Sequence, residues 1–216
     1  MNFVNDFLWI FIAYFIGSVP TAYLVAKRAQ GIDIRKHGSG NVGATNVFRV
    51  IGKKWGTTVL VVDILKGWIV TAILFYFCDA FQGTSPVLKQ LFLGAAAISG
   101  HTWSPWLKFK GGKGVATSAG VLLGIFPMAT LVAILIWILC FVISRYVSLS
   151  SMITAIFFPF LIILYNNGMK SFRTVLAVSI ILVLFLVYNH RENIRRLIKG
   201  EEHRANWGKK KEKKPA

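Results

Sequence analysis

Residues Val115 to Ser144 read VATSAGVLLGIFPMATLVAILIWILCFVIS, 30 residues without a charge. At 1.5 Å per residue one helix of that length spans about 45 Å, against about 30 Å for the hydrocarbon core of a bilayer. Gly124 and Pro127 mark where it divides, because proline breaks the backbone ladder and glycine permits a tight reversal. The stretch therefore reads as two helices, approximately Gly114 to Gly124 and Pro127 to Ser144. The first, about 17 Å long, reaches only partway through a membrane, so its backbone ends need protein or water as partners.

Working outward, Phe7 to Ala26 holds 20 uncharged residues and Tyr146 to Met169 holds 24, against roughly 20 for one crossing. With 55% hydrophobic residues and a mean hydropathy of +0.60 over 216 residues, the chain is too apolar for a soluble domain of that size. Seven helices follow, at Asn5 to Ala26, Lys54 to Phe77, Val87 to Gly100, the two above, Ser148 to Tyr165 and Ser171 to Asn189. The fold class is an all-α polytopic membrane protein. No repeat or separate soluble domain is visible, so residues 1–206 read as one domain followed by a basic, disordered, membrane-hugging tail at 207–216.

Charge sets the orientation. Lys27 to Lys54 carries seven basic residues and only Asp33 as an acid, whereas Asp79 to Lys89 has one of each. The positive-inside bias places the first segment in the cytoplasm and the N-terminus outside. Lys108, Lys110 and Lys113, and the tail from Arg191 with its ten basic and four acidic residues, fall in the cytoplasm under this parity. Asp6 precedes the first apolar run without a Lys or Arg, so an uncleaved first span is expected instead of a signal peptide. The net charge of +17 is interleaved with the spans, which favours anionic lipids or anionic substrates over nucleic acid as partners. Cys78 and Cys140 lack metal or redox spacing and read as packing residues.

Four polar segments share the cytoplasmic face. In Gly38-Ser39-Gly40-Asn41-Val42-Gly43-Ala44-Thr45-Asn46, the glycines Gly38, Gly40 and Gly43 let a backbone approach a ligand, and Ser39, Asn41, Thr45 and Asn46 supply donors. Arg49 adds a fork suited to phosphate. In Lys108-Phe109-Lys110-Gly111-Gly112-Lys113-Gly114, a basic glycine turn precedes an apolar helix, as in an anion site where free N–H groups and lysines meet one ligand. It is not a Walker A loop, since no glycine stands five residues before the Gly112-Lys113 pair and Gly114 takes the Ser/Thr position. Ser148, Ser150 and Ser151 open the sixth helix, where they cap it or hold an anion. His190 and Asn193 lie one turn apart and converge on one face. Asp63 and Lys66, at i,i+3 in an apolar span, are expected to pair and face the interior, as a structural element or a support behind the site rather than as catalytic groups. The blander alternatives are a solvated loop, lysines serving only topology, and serines serving only as caps.

Gly38 to Asn46, Lys110-Gly111-Gly112-Lys113-Gly114-Val115-Ala116-Thr117 and His190-Arg191-Glu192-Asn193 together resemble the bacterial membrane acyltransferases that acylate glycerol-3-phosphate from acyl phosphate, the PlsY family. The resemblance runs from Val19 to Arg204 and leaves out the lysine-rich end after Trp207. It implies the first step of phospholipid synthesis in the bacterial inner membrane, giving lysophosphatidic acid and inorganic phosphate, with no cofactor and no metal. It also implies catalytic roles for Ser39, Arg49, Lys113, His190 and Asn193. Substrate binding falls to Gly40, Asn41, Gly43, Thr45, Asn46, Lys110, Gly111, Gly112, Ser148, Ser150 and Ser151.

The residues permit this chemistry. None of His37, His101 and His190 is followed five residues later by aspartate, since Val42, Trp106 and Arg195 hold those places. No Ser-His-Asp or Cys-His set stands out, so direct attack by the substrate hydroxyl is favoured over an acyl-enzyme. The acyl phosphate's own oxygen is the expected proton acceptor, with His190 as the protein alternative. The rival from another class is a transporter of a phosphorylated solute, but transporters place their sites near the midplane between repeated halves.

Overall fold

The computed structural model describes residues 3–165, 168 and 170–205; the segment expected to be a basic tail lies outside them. Every regular element among the described residues is helical. They are α1 (Phe3–Ser18), α2 (Thr21–Gln30), α3 (Ala44–Val50), α4 (Lys53–Phe77), α5 (Pro86–Thr102), α6 (Val115–Ile125), α7 (Pro127–Ser144), α8 (Val147–Leu164), α9 (Phe172–Asn189) and α10 (Arg191–Ile198). Among the described residues five stretches are long and apolar enough to cross a membrane, namely Val4–Gln30, Lys53–Phe77, Pro127–Ser144, Val147–Leu164 and Phe172–Asn189, and α6 is a shorter apolar helix. Phe7 and Ile143 stand 77% and 75% exposed on their outer faces, an arrangement that fits lipid better than water.

The first expected span is not one helix. It breaks at Val19 and Pro20 into α1 and α2, because proline has no N–H to continue the ladder and disfavours helical geometry in the residue before it. The break frees carbonyls, and other elements satisfy them. Ser104 Oγ donates to Ser18 O at 2.7 Å and Lys66 Nζ donates to Val19 O at 3.2 Å.

The division of the 115–144 stretch holds. α6 ends at Ile125 and α7 starts with Pro127 at its first position, where a missing N–H does no harm. The far end of α6 finds protein partners: Gln90 Nε2 donates to Thr71 O at 2.8 Å and reaches Gly124 O at 3.5 Å, while Thr71 Oγ1 donates to Val121 O at 3.1 Å. Beside this contact α4 widens into π-helical turns over Ile69–Leu74.

Helix α1 lies along α5, α4 along α6, α7 along α8, and α8 against α9. The α4–α6 contact is backbone to backbone, since a Cβ on Gly67 or Gly120 would strike the main chain of Thr117 or Ile64. Small residues permit such an approach, which association in lipid relies on. Asp63 and Lys66 do pair inside, 2.8 Å apart with both side chains buried.

Hydrogen bonds gather the polar segments at one end of the helices. Tyr14 Oη donates to Trp103 O, Ser148 to Glu202 and Ala205 N to Arg145 O. At the other end Asn5 and Trp9 both donate to Asp79.

Candidate active site

The first glycine segment is held by one side chain. Asn46, 1% exposed, donates from Nδ2 to the carbonyls of His37 at 2.9 Å, Asn41 at 3.1 Å and Ile34 at 3.3 Å, and its Oδ1 accepts from Ser39 N at 2.9 Å. Its amide is therefore committed to the loop, so the structure gives Asn46, expected among the substrate contacts, the task of shaping that loop. Gly38 and Gly40 have φ of +60° and +71°, and a Cβ on Gly38 would run into Asn46. Gly43 caps α3 in extended geometry. The loop leaves Ser39 and Thr45 exposed and Asn41 half-buried, while Arg49 is carried half-buried on the last turn of α3.

The second segment is tied to the end of α5. Gly111 N donates to Thr102 O at 2.9 Å and Gly112 N to His101 O at 3.1 Å. These two amides, expected to face a phosphate, are spent on the turn itself. The donors left are the first-turn amides of α6, which no carbonyl of that helix can reach. Lys108 and Phe109 both adopt positive φ, 54° and 61°, a conformation costing non-glycine residues about 1 kcal/mol or more each. The side chain of Lys110 is exposed and that of Lys113 turns inward.

Lys113 is the centre. Its ammonium donates to Asn193 Oδ1, and Asn189 Nδ2 reaches its carbonyl at 3.5 Å. Burial first, then the charge of Arg196, lowers its pKa to about 8, with Glu202 opposing and Arg49 adding to the shift. Arg49 is itself pulled below the usual guanidinium value by burial, against the charge of Glu202 and with that of Arg196. Three cations thus lie around a central carboxylate, with Glu192 a further acid acting on Lys113, a net positive field that favours further anions.

The carboxylate is Glu202, which the sequence reading missed. It accepts from Ser148 Oγ at 2.8 Å, Asn193 Nδ2 at 2.7 Å and Arg196 Nε at 2.7 Å. Burial pushes its pKa up, but these hydrogen bonds and the Arg196 charge outweigh burial and hold it below the usual range. Its signal in the sequence was an acid in an otherwise basic end, too common a pattern to single out. Of the three serines only Ser148 joins this cluster. Ser150 and Ser151 donate back to Tyr146 O and Val147 O of their own turn, each at 2.8 Å, and Ser151 also accepts from Trp137.

His190 is buried at the junction of α9 and α10. Its Nδ1 lies 2.8 Å from Leu186 O; a carbonyl only accepts, so Nδ1 carries the hydrogen and Nε2 is bare in the neutral ring. Burial and the neighbouring Lys113 charge lower its pKa to about 4, which keeps the ring neutral near pH 7 and makes it a weak base.

A bundle of apolar helices with cations, neutral donors and the Glu202 carboxylate gathered at a single end is the arrangement of a membrane protein with a polar, net-positive site at one surface. The sequence pattern described as glycerol-3-phosphate acyltransferase matches residues 7–200. Among the most similar relatives, the "Glycerol-3-phosphate acyltransferase" of Desulforudis audaxviator (strain MP104C) is 46% identical over 97% of this chain and 100% of its own. The protein of that name from Bacillus subtilis (strain 168) is 40% identical over 93% and 97%. A crystal structure of PlsY (YgiH), an integral membrane glycerol 3-phosphate acyltransferase in its glycerol 3-phosphate form, superposes with a TM-score of 0.81 at 39% identity, covering 93% of this chain and 96% of that one. The chain belongs to the glycerol-3-phosphate acyltransferase family, the PlsY family, and is a membrane protein.

Proposed function

We propose that this chain transfers a fatty acyl group from acyl phosphate to the 1-hydroxyl of glycerol-3-phosphate, giving lysophosphatidic acid and inorganic phosphate. The observation that carries the reading is the convergence of Lys113, Arg49 and Arg196 around Glu202 and Asn193. Both substrates bear phosphate, and an excess of cations beside the start of α6 supports holding them together. The glycerol oxygen attacks the acyl carbonyl, the acyl–oxygen bond breaks, and the phosphate departs with the electron pair. Its own oxygen takes the hydroxyl proton, since His190, lowered to about 4, is poorly matched to that task. Transport of a phosphorylated solute draws no support from the family match.

The donor is testable with purified protein and glycerol-3-phosphate by following phosphate release and lipid product. Acyl phosphate is expected to support turnover and acyl-CoA to support little; equal rates with both would overturn the donor assignment.

The same reading places residues 1–206 in one domain of the bacterial inner membrane, with the N-terminus outside and the site and C-terminus in the cytoplasm. It counts α5 and α6 with the five long stretches as seven membrane-entering segments. In a variant lacking Cys78 and Cys140, a single cysteine near residue 4 should react with an impermeant maleimide from outside and one near residue 203 only after permeabilisation. Labelling of both from the same side refutes this topology.

A further inference from the structure

Beneath the Gly111–Gly114 turn lies a buried polar cluster that the chemistry above does not use. Lys66 Nζ meets Asp63 Oδ1 at 2.8 Å, His101 Nδ1 at 2.9 Å and Val19 O, at the break between α1 and α2, at 3.2 Å. An ammonium only donates, so His101 Nδ1 accepts and the ring hydrogen sits on Nε2. That Nε2 faces Gly112: a Cβ added there would strike it and would lie 2.7 Å from Val42 O of the other glycine segment. His101 also receives the Gly112 N–H on its carbonyl. One residue therefore supports the turn through both main chain and side chain.

A buried ion pair is weak evidence of stabilisation, because desolvation offsets its attraction. What Asp63 and Lys66 do supply is a fixed ring orientation and tautomer. We propose that His101 is a positioning residue for the phosphate-holding turn, with the Asp63–Lys66 pair and Val19 O setting its ring so that it fixes the height of Gly112 below the bound phosphoryl group. The proposal rests on the turn holding a phosphoryl group, and the substrate whose phosphate sits there is identified by which binding constant moves.

Two replacements at His101 separate positioning from bulk stability. His101→Asn keeps an acceptor near the place of Nδ1 for Lys66 but nothing that reaches Gly112, whereas His101→Gln extends an N–H to the place of Nε2. Kd for glycerol-3-phosphate and for a short-chain acyl phosphate, measured by calorimetry, is compared with KM and kcat for each. The α6 amides that this turn presents meet phosphate in ground and transition states alike, whereas the Lys113 ammonium is on a flexible stem that can follow a small shift. His101→Asn should therefore weaken Kd and KM for one substrate about tenfold with kcat within about threefold. His101→Gln should stay within about threefold of wild type on all three. Should His101→Asn fail to insert, Asp63→Asn/Lys66→Met removes both charges without stranding either and should give the same loss of affinity. Equal behaviour of the Asn and Gln variants, or a lowered Tm with both Kd values unchanged in whichever variant folds, overturns the proposal. Calorimetry reads binding without turnover, so an inactive wild type counts against the functional reading alone.

Discussion

Lys113→Ala should lower turnover by roughly 2 to 4 kcal/mol in activation free energy, a factor of about 30 to 900. The ammonium stands beside Asn193 at the cluster that also holds Arg49, Arg196 and Glu202, next to the amides that open α6. As the acyl–oxygen bond breaks, charge grows on the phosphate, and a preorganised cation stabilises that charge more than it stabilises the bound substrate. The loss should therefore fall mainly on kcat. Lys113→Arg should rescue only in part, because a planar fork replaces a compact point charge in a site shaped by Asn193. The pH profile gives a second readout. With the free-enzyme pKa lowered to about 8 and the charged form required, kcat/KM should fall as pH rises through about 8. Steady-state kinetics on folded, membrane-inserted variant decides it: turnover within about threefold of wild type, less than 1 kcal/mol, means that Lys113 serves topology alone.

Glu202→Ala should cost about 2 to 3 kcal/mol in kcat/KM, since hydrogen bonds to a charged group contribute about 1.5 to 3 kcal/mol and this carboxylate orients three partners. Without it Asn193 loses the acceptor that aims its Oδ1 at Lys113, Ser148 loses its partner, and Arg196 is left beside two other cations. Glu202→Gln keeps the length but replaces one acceptor oxygen with a donor, so it should fall between alanine and wild type. The group's folded pKa is depressed. Its contribution to stability is accordingly present above the ordinary carboxylate pKa and is lost as pH falls through the lowered one. Kinetics and a melting curve on both variants test the assignment, and an alanine variant with wild-type kcat/KM would show that the Glu202 hydrogen bonds do not reach the chemistry.

The helical spans were legible because each carries its own signal. The 24-residue run at Tyr146 to Met169 and the Gly124–Pro127 break declare their length and end locally, and α7, α8 and α9 begin and end within a residue or two of expectation. The break at Pro20 is not legible because it falls inside the uncharged Phe7 to Ala26 run and a lone proline is tolerated in membrane helices. The three glycine and histidine motifs were legible as residue types with the right chemistry.

Which atoms of those motifs remain available was not legible. Asn46 and Ser39 differ little as letters, yet one is sealed beneath the loop and the other is exposed on it. Gly111 and Gly112 looked like free amide donors until the end of α5 claimed both. Glu202 and Lys113 are 89 residues apart in numbering, and His101 meets Lys66 across 35, separations over which no local pattern reports contact. The sequence by itself determined that long apolar stretches seek lipid, that the 115–144 run divides near Gly124 and Pro127 and which residues have phosphate chemistry, because hydrophobic length, proline and glycine act within a turn or two of themselves. Only the tertiary structure decided which donors are spent, which charges meet and which ring faces the turn, because hydrogen-bond capacity is finite and is allotted by whichever helix packs alongside.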